Sequence, residues 1–157
     1  MNAPTPSTAA APRLNYRKAS PKIVAGMLAL QQAVNDCGLE QSLLELVKLR
    51  ASQLNGCAFC VDMHARDAKH HGETDARLHL LAVWEEAPVF TPRERAALLW
   101  TESLTRLAGH PVTDETYAAV RAHFEEQELV NLTGAIVAIN GWNRFSVGFK
   151  VPPGTVL

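Results

Sequence analysis

The 157-residue sequence lacks three things that would each point to a function class. It has no excess of charge: fifteen Lys and Arg face sixteen Asp and Glu, for a net charge of -1, so no global positive field exists to hold nucleic acid or an anionic membrane. It has no long hydrophobic run, because the most apolar stretches, around Leu78 to Trp84 and Ile136 to Ile139, fall far short of the roughly 20 residues that cross a bilayer. It has only three cysteines, too few for a disulfide framework. What is there, 47% apolar and 20% charged residues, is the composition of one ordinary globular domain, able to bury roughly 70% of its unfolded surface.

Residues 1–13, dominated by Ala, Pro, Ser and Thr, lack the apolar segment of a secretory signal and read as a disordered arm, and the expected location is the cytoplasm. Beyond Arg13 nearly every boundary is helix punctuation, and strand signals are almost absent. Ser20-Pro21 opens a helix whose apolar positions Ile23, Met27, Leu30 and Val34 recur at three and four until Gly38. A second runs from about Glu40 to Leu54 and stops at Asn55-Gly56; a third starts at Cys57 or Ala58 and ends at Gly72; a short fourth spans about Thr74 to Glu86. Thr91-Pro92-Arg93-Glu94 is a capping box opening a fifth helix to Leu107, Thr113 caps a sixth to about Phe124, and a seventh covers about Gln127 to Phe145. The seventh is apolar on most sides, which marks it for the core or an oligomer contact. The expectation is an all-α, single-domain bundle of six to seven helices over residues 14–150, with a tail over 151–157.

The chemistry concentrates in Gln53-Leu-Asn-Gly-Cys57-Ala-Phe-Cys60-Val-Asp-Met-His64, where a Gly turn delivers a C-x-x-C to a helix N-terminus. Unpaired backbone N–H groups and the positive end of the helix dipole favour a thiolate there. On a helical wheel Cys57, Cys60, Val61, His64, Ala68 and His71 share one stripe, with Asp62, Arg66, Lys69 and His70 opposite. His64 follows Cys60 by one turn, so an imidazole can relay a proton to or from the sulfur. A thioredoxin-type motif needs a βαβ setting that is absent, and haem attachment needs His where Val61 stands. Three readings stay open: a catalytic dithiol, a zinc site using Cys57, Cys60, His64 and Cys37, and two inert core cysteines.

With Glu45 eleven residues before Cys57 and His64 three residues after Cys60, this segment resembles the alkylhydroperoxidase D core of the carboxymuconolactone decarboxylase-like superfamily. Trp84-Glu-Glu-Ala-Pro88, Phe90-Thr-Pro-Arg-Glu-Arg95 and Ile139-Asn-Gly-Trp-Asn143 extend the resemblance from about Ser20 to Phe149. It implies an all-α peroxidase needing no organic or metal cofactor, in which Cys60 attacks a small hydroperoxide and Cys57 closes the disulfide. Glu45 and His64 would form, with water, the proton relay. A lipoyl- or thioredoxin-type dithiol would restore the pair, and the chain would assemble as a homo-oligomer, commonly a trimer of dimers. Phe59 stands where the family's best-known peroxidase has His. Two other functions remain as alternatives: a lyase or isomerase acting on a small carboxylated lactone, and a non-enzymatic redox-sensing or zinc-binding module.

Glu45 is less secure from spacing alone. In a plain hairpin it would lie roughly 16 Å from the turn and His64 about 10 Å, so a crossing angle or a bridging water must close the difference. The bland reading pairs Glu45 with Lys48 on a solvated face, whereas a Glu kept from solvent beside His64 would be a base with a raised pKa. His71 reads as a dipole partner, His70, His79, His110 and His123 as surface residues, and Cys37 as a passive core thiol. Trp84, Trp100 and Trp142 read as core or interface anchors, one of which could line the approach to the thiols. Asn140 and Asn143 need backbone or intersubunit partners, and Arg93 and Arg95 read as solvated charges.

Overall fold

The computed structural model describes residues 11–156. Among them lie eight α-helices and no strand: α1 (Tyr16–Ala19), α2 (Pro21–Asn35), α3 (Gln41–Leu54), α4 (Ala58–His70), α5 (Asp75–Leu80), α6 (Pro92–Thr105), α7 (Asp114–Arg121) and α8 (Glu126–Gly148), with a 3-10 turn at Leu81–Val83 after α5. Seven of them match the expected helices, and α1 is additional. The arm expected over 1–13 falls mostly outside the described residues; Arg13 is held, its backbone N–H donating to the Phe149 carbonyl at 2.8 Å.

Side chains start most of these helices. Thr91 accepts from the Glu94 N–H while Glu94 accepts from the Thr91 N–H, the reciprocal cap of α6. Thr74 and Thr113 cap α5 and α7 in the same one-sided way, and Glu125 with Glu128 forms a second capping box at α8. Asn15 accepts from the Lys18 N–H and opens α1, a single turn.

The most enclosed helix is α3: every residue from Leu43 to Ser52 is buried, including Glu45, Lys48 and Arg50. It packs against α4, α6 and α8. α8 is only partly enclosed, burying Leu129, Leu132, Ile136 and Ile139 while leaving Val130, Val137 and Val147 exposed. Three apolar groups fill the interior. One, between α3, α6, α7 and α8, holds Leu44, Val47, Trp100, Phe124, Leu132 and Ile136. A second surrounds Leu46, Leu49, Leu81, Trp84, Phe90 and Leu98. The third joins α1, α2 and the segment after α8 to the C-x-x-C segment: Tyr16, Val24, Cys57, Phe59, Cys60 and Val151.

The charges on α3 and α6 are met by partners, as burial requires. Glu102 accepts from Arg50 Nε and Trp84 Nε1, each at 2.8 Å, which ties α3 to α6 and to the residue after the 3-10 turn. Arg93 and Arg95 are not simply solvated charges. Arg93 pairs with Glu40 and Glu128 over the Phe124 ring, and Arg95 donates to the Trp84, Glu85 and Ala87 carbonyls that end the 3-10 turn.

Candidate active site

The turn between α3 and α4 places the cysteines. Gly56 takes φ 64°, a left-handed conformation that suits a residue without Cβ, and the Cys57 N–H donates to the Ser52 carbonyl at 3.0 Å. A polar network pins this turn to α8. Asn55 Nδ2 donates to Asn140 Oδ1 and Asn143 Oδ1 at 3.0 and 2.9 Å, and Asn143 Nδ2 donates to Ser52 Oγ at 3.0 Å. Asn140 also donates to Thr105 Oγ1 and to the Ile136 carbonyl. The partners of Asn140 and Asn143 thus come from within the chain.

Cys57 is the N-cap of α4, its Sγ accepting from the Cys60 N–H at 3.3 Å. Cys60 occupies the first turn, and the two sulfurs are joined as a disulfide with Cα atoms 5.3 Å apart. Both cysteines are buried, yet they are not equivalent: Cys60 lines a cavity of about 620 Å³ and Cys57 is not part of its wall. The cavity is also lined by Glu45, Lys48, His64, Phe59 and Trp142, so Trp142 is the tryptophan that faces the approach. Phe59, where a second imidazole would sit in the resembling peroxidase, belongs to the apolar group around the disulfide.

Glu45, His64 and Lys48 are 4, 7 and 5% exposed. Glu45 Oε2 lies 2.8 Å from His64 Nδ1 and its Oε1 accepts from Lys48 Nζ at 2.8 Å. The offset expected from the helical rise is closed by direct contact rather than by a bridging water. Pairing with Lys48 also occurs, but in the interior and not on a solvated face.

The expected raised pKa of Glu45 does not materialise. Burial is the strongest single influence and pushes the carboxyl up; the hydrogen bonds and charges of His64 and Lys48 together outweigh it and hold the group below the usual carboxyl value. An ionised Glu45 can only accept, so it fixes the proton of a neutral His64 on Nδ1 and leaves Nε2 as the basic nitrogen. Nε2 has no hydrogen-bond partner among the described residues. Such an imidazole can act as a base, with Glu45 as the group that orients it.

The zinc set considered from sequence is not assembled. Cys37 packs beside the Leu44–Phe124 group, away from the disulfide. Among the described residues, the donors close enough to share a cation are Glu45, His64 and Asp67, within 4.8 Å of one another. Lys48 already places a positive charge on Glu45, so this set is organised for hydrogen bonding. His71 lines the same cavity but is exposed at the end of α4. Sequence reasoning missed Tyr16 and Arg17, which line it from α1, and the interior position of Lys48.

The profile of the carboxymuconolactone decarboxylase family matches residues 21–103, and the chain is 38% identical to YdfG of Bacillus subtilis over 86% of its own length and 92% of that protein's. The chain belongs to the carboxymuconolactone decarboxylase family. Among solved structures, a protein of unknown function from Agrobacterium tumefaciens, described as a candidate antioxidant defence protein AhpD, is 44% identical with TM-score 0.89, covering 93% of this chain and 100% of that one. An alkylhydroperoxidase AhpD core from Ralstonia eutropha JMP134 shares the fold at 22% identity and TM-score 0.77, covering 88% of this chain and 74% of that one. Within the family, this chain is an AhpD-like helical domain with its paired cysteines at the start of α4. None of its described helices is long and apolar enough to cross a membrane.

Proposed function

We propose that this family member is a thiol-dependent peroxidase that reduces small hydroperoxides through a Cys57/Cys60 dithiol–disulfide cycle. One juxtaposition carries the reading: Cys60, the half of the pair that lines the cavity, precedes by one helical turn an imidazole whose Nδ1 is held by a buried, ionised carboxylate. In the reduced protein His64 Nε2 takes the Cys60 thiol proton. The thiolate attacks the distal peroxide oxygen, the O–O bond breaks, and the departing alkoxide recovers a proton to leave as alcohol, or as water from hydrogen peroxide. Cys60 is then a sulfenic acid, and the Cys57 thiol displaces water from it to form the disulfide. A dithiol reductant of lipoyl or thioredoxin type supplies the two electrons that reopen the pair. The cycle uses no organic or metal cofactor. A homo-oligomer in the cytoplasm, assembled as a trimer of dimers, is the setting proposed for it.

The test is hydroperoxide consumption with dithiothreitol as reductant. Cys60→Ser should abolish turnover, and Cys57→Ser should form no intramolecular disulfide, its Cys60 sulfenic acid being reduced only by dithiothreitol itself; full consumption by Cys60→Ser would overturn the roles. A lyase acting on a carboxylated lactone would instead keep its rate with both cysteines converted to Ser, and activity surviving in that variant would replace the peroxidase reading.

A further inference from the structure

The wall of the cavity opposite in character to its charged residues is apolar, built by Leu28, Phe59, Met63, Ile139 and Trp142. Of the charges that line it, Lys48 is matched by Glu45 and Asp67 lies 4.0 Å from His64 Nδ1. Arg17 has no such match. It is half-buried, its guanidinium sits 5.9 Å from the Trp142 ring centroid, and it makes no hydrogen bond or ion pair among the described residues. The side-chain polar atoms that are buried without a partner among the described residues are Arg17 Nε and the hydroxyl of Tyr16, adjacent residues lining this same cavity. Tyr16 is 5% exposed, and its ring is fixed against Phe145 and Phe149 at centroid distances of 5.1 and 5.7 Å. Buried donors left unmet cost about 1–3 kcal/mol each, and such a cost concentrated in one wall marks a place where an acceptor from outside completes the bonding.

Resting on the peroxidase reading, we propose that the preferred substrate is an organic hydroperoxide that carries a carboxylate, its apolar body on the Phe59–Trp142 wall and its carboxylate on Arg17, with the hydroperoxide end at Cys60. A carboxylate is the acceptor that fits a guanidinium best, since two oxygens meet two N–H groups of the planar fork. The aromatic ring under Arg17 holds the cation without neutralising it, as an acidic partner would. The carboxylate takes no part in the electron flow; it positions the peroxide and adds binding energy.

The experiment uses full-length protein, reduced and freed of reductant, and follows thiol loss with the hydroperoxide of a medium-chain fatty acid and with its methyl ester. The ratio of the two rates is the readout, taken on variants whose circular dichroism matches that of the unaltered protein. The expected ratio is about tenfold in favour of the acid, the size of one charge-assisted contact. Arg17→Met should bring it to near one, and Arg17→Lys should leave an intermediate value. Equal rates in the unaltered protein, or a preference that survives Arg17→Met, would overturn the substrate class while leaving the peroxidase reading in place. If neither hydroperoxide oxidises the pair, that reading falls and the substrate class with it.

Discussion

Two faces of α3 solve different problems: Leu44 and Val47 lie on one, Glu45, Lys48 and Ser52 on the other. Toward α6, α7 and the first half of α8 its neighbours are Trp100, Phe124, Leu132 and Ile136, an interior with almost no polar atom to satisfy. Toward α4 and the second half of α8 the buried residues are Glu45, Lys48, Ser52, His64 and Asn143, each held by hydrogen bonds. Apolar burial stabilises in proportion to area. A buried ion pair roughly breaks even against apolar residues of the same volume, so the polar face adds geometry more than stability. Substitutions at the two faces should therefore separate folding from chemistry.

The largest effect is at the sulfur itself: Cys60→Ser should reduce peroxide turnover to background while leaving the thermal midpoint close to that of the reduced protein, measured by circular dichroism. Next, Phe124→Ala on the apolar side should cost about 3–5 kcal/mol in urea unfolding, by lost burial and the cavity left behind, while folded molecules keep their rate of thiol oxidation. The double substitution Glu45→Gln with Lys48→Met reverses that pattern. Removing both charges leaves neither one unpaired, so stability should change little, while thiol oxidation should slow by about a hundredfold because His64 loses its orienting carboxylate. A large loss of stability with unchanged oxidation would erase the distinction between the two faces.

Acid sharpens the same comparison. The Glu45 carboxyl is held below its ordinary value of 4.5, so folding keeps its proton off. The stabilisation this gives is present above that value and disappears as the pH falls through the lower, folded-state value. Urea unfolding should therefore show stability falling on acidification below about pH 4.5, and falling less in the Glu45→Gln/Lys48→Met variant. The smallest effect lies outside both faces. Lys150 follows α8 with φ 52°, where a Cβ is strained, and Lys150→Gly should raise the thermal midpoint by about 2–4 °C, the equivalent of roughly 1 kcal/mol.

Most of the helices were legible because they are punctuated locally. Thr91 and Glu94 are close in sequence, and the cap they form is the one their spacing predicts. α1 was not legible, for it is one turn with no period to read, and its Tyr16 is held by Phe145 and Phe149 from the far end of the chain. α8 runs to Gly148, beyond the expected Phe145, since Ser146 is buried and its carbonyl accepts from Val151 as the tail folds back. At the site, the cysteines and His64 are readable from one helix. Glu45 comes from another, and whether it met His64 or only Lys48 depended on how α3 and α4 cross; the structure brings both to it. Its lowered pKa depends on the same crossing, since burial alone argued for the opposite direction.

The central claim is that Cys60 and Cys57, and not Cys37, take the oxidising equivalents of a peroxide. Reduced protein treated with one equivalent of hydroperoxide, followed by thiol titration and mass-spectrometric mapping, tests it most directly. Two of the three thiols per chain should be lost, with a Cys57–Cys60 crosslink and Cys37 still free. Retention of all three thiols, or a crosslink that includes Cys37, would contradict it.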